Sequence, residues 1–231
     1  HRRTRALVLG ADPVGDRPGA EAAEGILRRF LTRAYRRPPS DDEVTQTVDR
    51  YQAGRRSGLD HDVALKQVLQ SALISPKFLL RVEAGQEGDE PFQVSDWELA
   101  SRLSYFFWAS MPDQALFEIA ARGVLRDPAT LRGQVERMLA DEKADTLGTV
   151  FAAQWLGFRH VGTRIWLDPI DNPWCTAALM TAMRDESALF FLSLLRDNQP
   201  IGRLIDADYT YVNAELATTL YGMDGVEGDH M

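Results

Sequence analysis

The chain has 231 residues, 45% hydrophobic and 26% charged, with a formal net charge of −8 and one cysteine. That composition belongs to folded globular chains and excludes disorder and collagen-like repeats. The acidic surplus argues against a protein that tracks nucleic-acid phosphates, and Cys175 alone can close no internal disulfide.

The longest apolar stretch free of charge, Leu147 to Phe158, is well short of the roughly 18 residues of a membrane helix, so no membrane span is expected. The chain opens at His1 and stops at Met231 without a helix stop or polar tail, and is read as a piece of something longer. Charge divides it unevenly. Residues 1–82 carry 15 basic and 10 acidic side chains, and residues 83–231 carry 11 and 24. The break falls in the polar Gly/Pro stretch Glu83 to Pro91, the best linker in the sequence. The expected organisation is an extended segment over 1–21, a small helical module over 22–83, a linker over 84–94 and a larger helical domain over 95–231, truncated at its end.

In the first segment Ala6-Leu7-Val8-Leu9-Gly10, followed by Gly15 and Gly19, looks like a strand entering a phosphate-binding turn. The second strand and the ribose-binding acid that such a fold needs do not follow, and a plain surface segment is the better reading. Helical periodicity then takes over. Ile26, Leu27, Phe30, Leu31, Ala34 and Tyr35 share one stripe, which Pro38-Pro39 ends. Ser40 with Glu43 forms a capping box for a helix carrying Val44, Val48 and Tyr51. A third helix runs from about Asp60 to Leu73, and Ser75-Pro76 starts a short one.

Ser95 with Glu98 is a second capping box, ahead of Leu99, Leu103, Phe106 and Phe107. Gly123 closes a short helix around Leu116 and Phe117, and Asp127-Pro128 opens the next. Further helices are expected through Leu147, Phe151, Trp155 and Leu156, from Asn172-Pro173 through Leu194, and after Asn213 up to Gly222. No alternating run follows residue 10, so the expected fold is all-α, with roughly nine or ten helices packed in two groups.

Chemistry is sparse. His61 and His160 belong to no Glu-x-x-His, His-Glu-x-x-His or Cys-x-x-Cys-His pattern, so no metal site and no cofactor held by this chain is expected. Cys175 reads as a small buried hydrophobe. Arg28, Arg29, Arg33, Arg36 and Arg37 read as a solvated face with local ion pairs. The charged groups beside apolar helix faces, Glu98, Arg102, Arg184 and Glu186, are expected to form partly buried ion pairs between helices. Asp206, Asp208 and Asn213 are turn and cap residues, with an acid/base pair of aspartates as the alternative. Trp155, Trp166 and Trp174, with Phe158, are expected in the core, stacking on a flat ligand being the alternative.

Two stretches combine into a recognisable pattern. Ile26-Leu27-Arg28-Arg29-Phe30 through Ala34-Tyr35-Arg36-Arg37-Pro38, with Leu69 to Glu83, resembles the small helical module of a planctomycete-type family of unknown function, numbered 1595. Glu98 to Trp108, Met111-Pro112-Asp113, Gln154-Trp155-Leu156 and Asp208 to Ala217 resemble the larger domain that follows it, family 1592. The resemblance implies a large exported, periplasmic protein in which these domains lie beside a c-type cytochrome module. The partners it implies are adjacent domains of the same polypeptide, with any haem held by a neighbour. Two functions follow as expectations: a helical scaffold or interaction module, or a substrate-binding or catalytic domain of a haem-coupled redox enzyme. The second would place a pocket between the helix of Glu98 and Arg102 and the helix of Arg184 and Glu186.

Overall fold

The structure, a computed structural model, describes residues 20–81, 83, 92–168 and 170–228. The glycine-containing segment at Ala6–Gly19 and most of the expected linker lie outside the described residues. Among the described residues there are α, 3-10 and π helices and one isolated bridge between Val161 and Ile165, with no strand. The fold is all-α. It divides into two compact units, one of residues 1–102 and 111–127, the other of residues 103–110 and 128–231. The helix Asp96–Trp108 gives its first residues to one unit and its last to the other.

In the first unit three helices, Ala20–Tyr35, Asp41–Arg56 and His61–Leu73, close around one apolar cluster. Ile26 and Leu27 come from the first helix, Tyr51 from the second, and Ala64, Leu65 and Val68 from the third. Each contributes from one stripe, as the sequence periodicity requires. The Tyr51 hydroxyl is carried into that cluster and shares a 2.7 Å hydrogen bond with His61 Nδ1, so the buried phenol is satisfied.

The capping boxes form as the spacing predicts. The Glu43 N–H donates to Ser40 Oγ at 3.2 Å, and the Ser40 N–H donates back to Glu43 Oε2 at 2.8 Å. Glu98 and Ser95 repeat the exchange at 3.2 and 2.7 Å. Gly123 ends the helix Gln114–Ala121 in the left-handed region, at φ +68°, where a glycine escapes the cost of a Cβ. Asp96 is buried and accepts from the Leu125 N–H at 2.7 Å and from Arg126 Nε at 2.8 Å, tying the start of its helix to the loop beyond Gly123.

Arg36 departs from the expected solvated face. It follows the first helix at φ +58° and is only 6% exposed. Its guanidinium donates to the carbonyls of Lys77, Phe78 and Leu80 at 2.9, 3.1 and 2.8 Å. The short helix Pro76–Leu79 leaves those carbonyls without intrahelical partners, and a buried cation with a fork of donors satisfies them together. The other arginines behave as expected where partners are seen, Arg28 reaching Glu24 and Arg37 reaching Glu43.

In the second unit the long helix Ala177–Arg196 is the central element. Leu179 and Ala182 pack with Leu216, with Met183 and Val212 against them. This helix starts at Ala177 rather than at Asn172-Pro173, because Thr176 supplies the cap, accepting the Leu179 N–H at 3.0 Å. The segment expected as an ordinary helix through Leu147 and Trp155 is a π-helix over Leu147–Ala152 that tightens to α over Ala153–Trp155. Gly148 packs tightly against the long helix. A Cβ there would stand 2.7 Å from the Ala188 carbonyl oxygen.

Trp108 is buried in the same unit, donating Nε1–H to the Met138 carbonyl at 3.0 Å with the Lys143 ammonium 4.4 Å from its ring centre. Cys175 is half-buried, not a core hydrophobe.

Candidate functional site

The first unit holds a half-open cleft of about 920 Å³. It lies where the end of the first helix, the turn around Pro76 and the start of the helix at Asp96 face one another. Its rings are Tyr35 and Trp97, its basic side chains Arg36, Arg37, Lys77, Arg81 and Arg102, and its acids Glu83 and Glu98. Local structure fixes each of these positions. Arg36 turns the chain by its positive φ, so that Tyr35 and Arg37 both line the space. The Ser95–Glu98 box starts the other wall and presents Trp97, whose ring lies 5.8 Å from that of Phe117.

Glu43 organises one end. It takes a bidentate pair from Arg37 at 2.8 and 2.9 Å and a contact from Lys77 Nζ at 2.6 Å. The Arg37 guanidinium and then Lys77 hold its carboxyl down to about 2. Arg37 and Lys77 thereby stand 5.9 Å from the centre of the Tyr35 ring, within cation–π range. At the other end Arg102 makes a bidentate pair with Glu83 at 2.6 and 2.5 Å. The pairing lowers the Glu83 carboxyl and raises the arginine.

This corrects the expected pairing among charged residues. Arg102 is exposed and pairs with Glu83, while Glu98 completes a capping box. In the second unit Arg184 pairs, among the described residues, with the adjacent Asp185 at 3.6 Å. Glu186 accepts from the Thr210 hydroxyl and the Tyr221 phenol, each at 2.5 Å, and forms no ion pair among the described residues. The hydrogen bond to Glu186 pushes the Tyr221 phenol up to about 12, so Tyr221 remains the donor at neutral pH.

Asn213 caps its helix as expected, accepting the Leu216 N–H at 2.9 Å. The two aspartates supply no such cap, although Asp208 lies at a bend, in keeping with the turn expected there. Asp206 ends the short helix Arg203–Asp206, and Asp208 is 88% exposed on its side chain with Arg203 at 3.7 Å. A helix start needs an acceptor at its own N-cap, and both lie several residues too early.

The tryptophans also differ from expectation. Trp155 is 58% exposed, and Trp166 and Trp174 are exposed as well. Trp166 and Trp174 sit in the irregular chain ahead of the long helix, where Trp166 Nε1 donates to the Thr163 carbonyl at 2.9 Å. Trp155 belongs to an aromatic face of the second unit. Its ring stacks on Phe151 with centroids 5.9 Å apart, and Phe151 lies 6.0 Å from Phe106, itself 57% exposed. Phe191, buried on the long helix, supports Phe151 and Trp155 from beneath at 6.2 and 6.3 Å.

Sequence reasoning missed Arg36, Glu43, Lys77, Glu83 and Trp97 as site residues. The spacing signals Glu43 only as a cap, and nothing local marks the other four. Among the described residues no group of three or more His, Cys, Asp or Glu side chains is placed to hold a metal ion, and no helix is long and apolar enough to cross a membrane.

No curated protein and no solved structure matches the chain. Two family profiles do, in the order that the motifs suggest. Residues 22–83 match the family described as proteins of unknown function DUF1595, and residues 94–223 match that described as proteins of unknown function DUF1592. The second match covers more than half of the sequence, with the aromatic face, Glu186 and the Asn213 cap inside it, and the chain therefore belongs to the DUF1592 family.

Proposed function

We propose that this chain is a helical interaction module of a larger exported protein, joined to neighbouring domains of the same polypeptide through the aromatic face of its second unit. The observation that carries the reading is the contiguous, outward-facing set Phe106, Phe151 and Trp155; their sequence neighbours Val150 and Leu156 are exposed as well. Soluble proteins rarely expose connected aromatic surface of this kind unless something covers it. The buried Phe191 packs beneath Phe151 and Trp155, and the π-helix carries Phe151. A c-type cytochrome module as one neighbour and a periplasmic setting rest on the family resemblance. In this reading the haem belongs to that neighbour.

The test is association in trans. The adjacent domains, expressed separately, should bind this chain, and Phe151→Ser with Trp155→Ser should weaken binding by at least about tenfold, as expected for aromatic anchors. Binding unchanged in that variant would refute the reading. A second reading, a substrate-binding or catalytic domain of a haem-coupled redox enzyme, is favoured by the cleft that contains Glu98 and Arg102. It requires turnover by the intact protein that Arg102→Ala impairs without unfolding it.

A further inference from the structure

The cleft of the first unit is not used by the aromatic face, and its chemistry points elsewhere. Five basic and two acidic side chains line it, and Glu43, behind Arg37 and Lys77, adds a third acid. The local charge stays positive in a chain whose net charge is −8. We propose that this cleft binds a small ligand that carries a carboxylate or phosphate on a planar ring, the acid held by Lys77 and Arg37 at one end, the ring by Tyr35 and Trp97, and a further acceptor of the ligand by Arg102 at the other.

Three observations support this. The first is spare donor capacity in fixed places. Lys77 directs one of its three N–H groups to Glu43. Arg102 gives Glu83 its Nε and Nη2 edge, which leaves the Nη1 edge for a second acceptor. The carboxylates thus orient the cations without exhausting them, and an incoming anion meets donors whose rotamers are already set. The second is the pairing of cation and ring. Arg37 and Lys77 both stand over Tyr35, so an acidic group reaching them brings the rest of its molecule against an aromatic face. The third is size. About 920 Å³ is at the upper end of small-molecule sites, which run from roughly 300 to 1,000 Å³.

The experiment is an NMR titration of the whole chain, read at the Trp97 indole N–H and assigned with Trp97→Phe. The probes are phenyl phosphate, benzoate, uncharged benzamide and inorganic phosphate. Phenyl phosphate or benzoate should give a saturable shift with Kd of about 1 mM or tighter. Benzamide and inorganic phosphate should each bind at least about tenfold more weakly, one lacking the charge and the other the ring. The tighter of the two ring-bearing acids identifies the acidic group of the natural ligand.

Lys77→Gln with Arg102→Gln, both exposed positions, should weaken the ring-bearing acids by about tenfold while circular dichroism stays unchanged. No saturable shift up to about 10 mM with either acid would overturn the proposal, as would benzamide or inorganic phosphate binding equally well. So would undiminished binding by the folded variant, or a glutamate-rich peptide that binds more tightly than either ring-bearing acid. The wild-type comparison of benzoate with benzamide decides the matter even if the variant does not fold.

Discussion

Glu43 shows how one side chain can serve a helix start and a distant turn together. It accepts from the Ser40 N–H, from Arg37 twice and from Lys77, and its side chain is 12% exposed. Its carboxyl titrates near 2 in the folded chain against about 4.3 when unfolded, so its contribution to stability is fully present above about pH 4.3 and is lost as pH falls toward 2. Glu43→Gln should therefore lower stability at pH 7 by about 1 to 2 kcal/mol. Denaturant melts across acidic pH should show the gap to wild type closing below pH of about 4; a gap independent of pH would remove the ionised carboxylate from the account. Trp108 and Trp155 give a second contrast at this scale. Trp108→Ala should cost about 3 to 5 kcal/mol, since it removes a buried ring, its hydrogen bond to Met138 and its contact with Lys143. Trp155→Ala should cost less than about 1 kcal/mol, because its ring is mostly in solvent. Thermal melts of the two variants decide this, and equal losses would return Trp155 to the core.

At the scale of elements, the close approach at Gly148 decides how the π-helix meets the long helix. An added methyl would stand 2.7 Å from the Ala188 carbonyl oxygen and 2.8 Å from Leu192 Cγ. Gly148→Ala should destabilise by about 2 kcal/mol even though alanine favours helix, because backbone must move. A neutral or stabilising result would mean that the two elements separate freely. Asn213→Ala and Thr176→Ala each remove a cap and should cost about 1 kcal/mol. Capping boxes, glycine stops and apolar stripes are local, which is why Ser40, Ser95, Gly123 and Asn213 were legible in the sequence. The π winding was not, since its 147–152 stretch has the same apolar spacing as an α-helix. Periodicity also marks an apolar face without saying what covers it, so Trp155 read as core. The burial of Arg36 depends on carbonyls some forty residues away, and no charge pattern near it could have revealed that.

For the whole molecule, the two units carry different surfaces. The first has a basic, aromatic cleft, and the second has an outward aromatic face on a scaffold held by buried leucines. Each is explained by side chains that the fold itself positions. The role as an interaction module stands or falls on whether the face of Phe106, Phe151 and Trp155 is covered in the assembled protein. Hydroxyl-radical footprinting of this chain alone and of the full gene product measures that directly. Phe106 and Trp155 should be labelled heavily in the isolated chain and protected in the full product, while Trp166, outside the face, serves as the internal reference. Equal labelling of Phe106 and Trp155 in both forms would contradict the account.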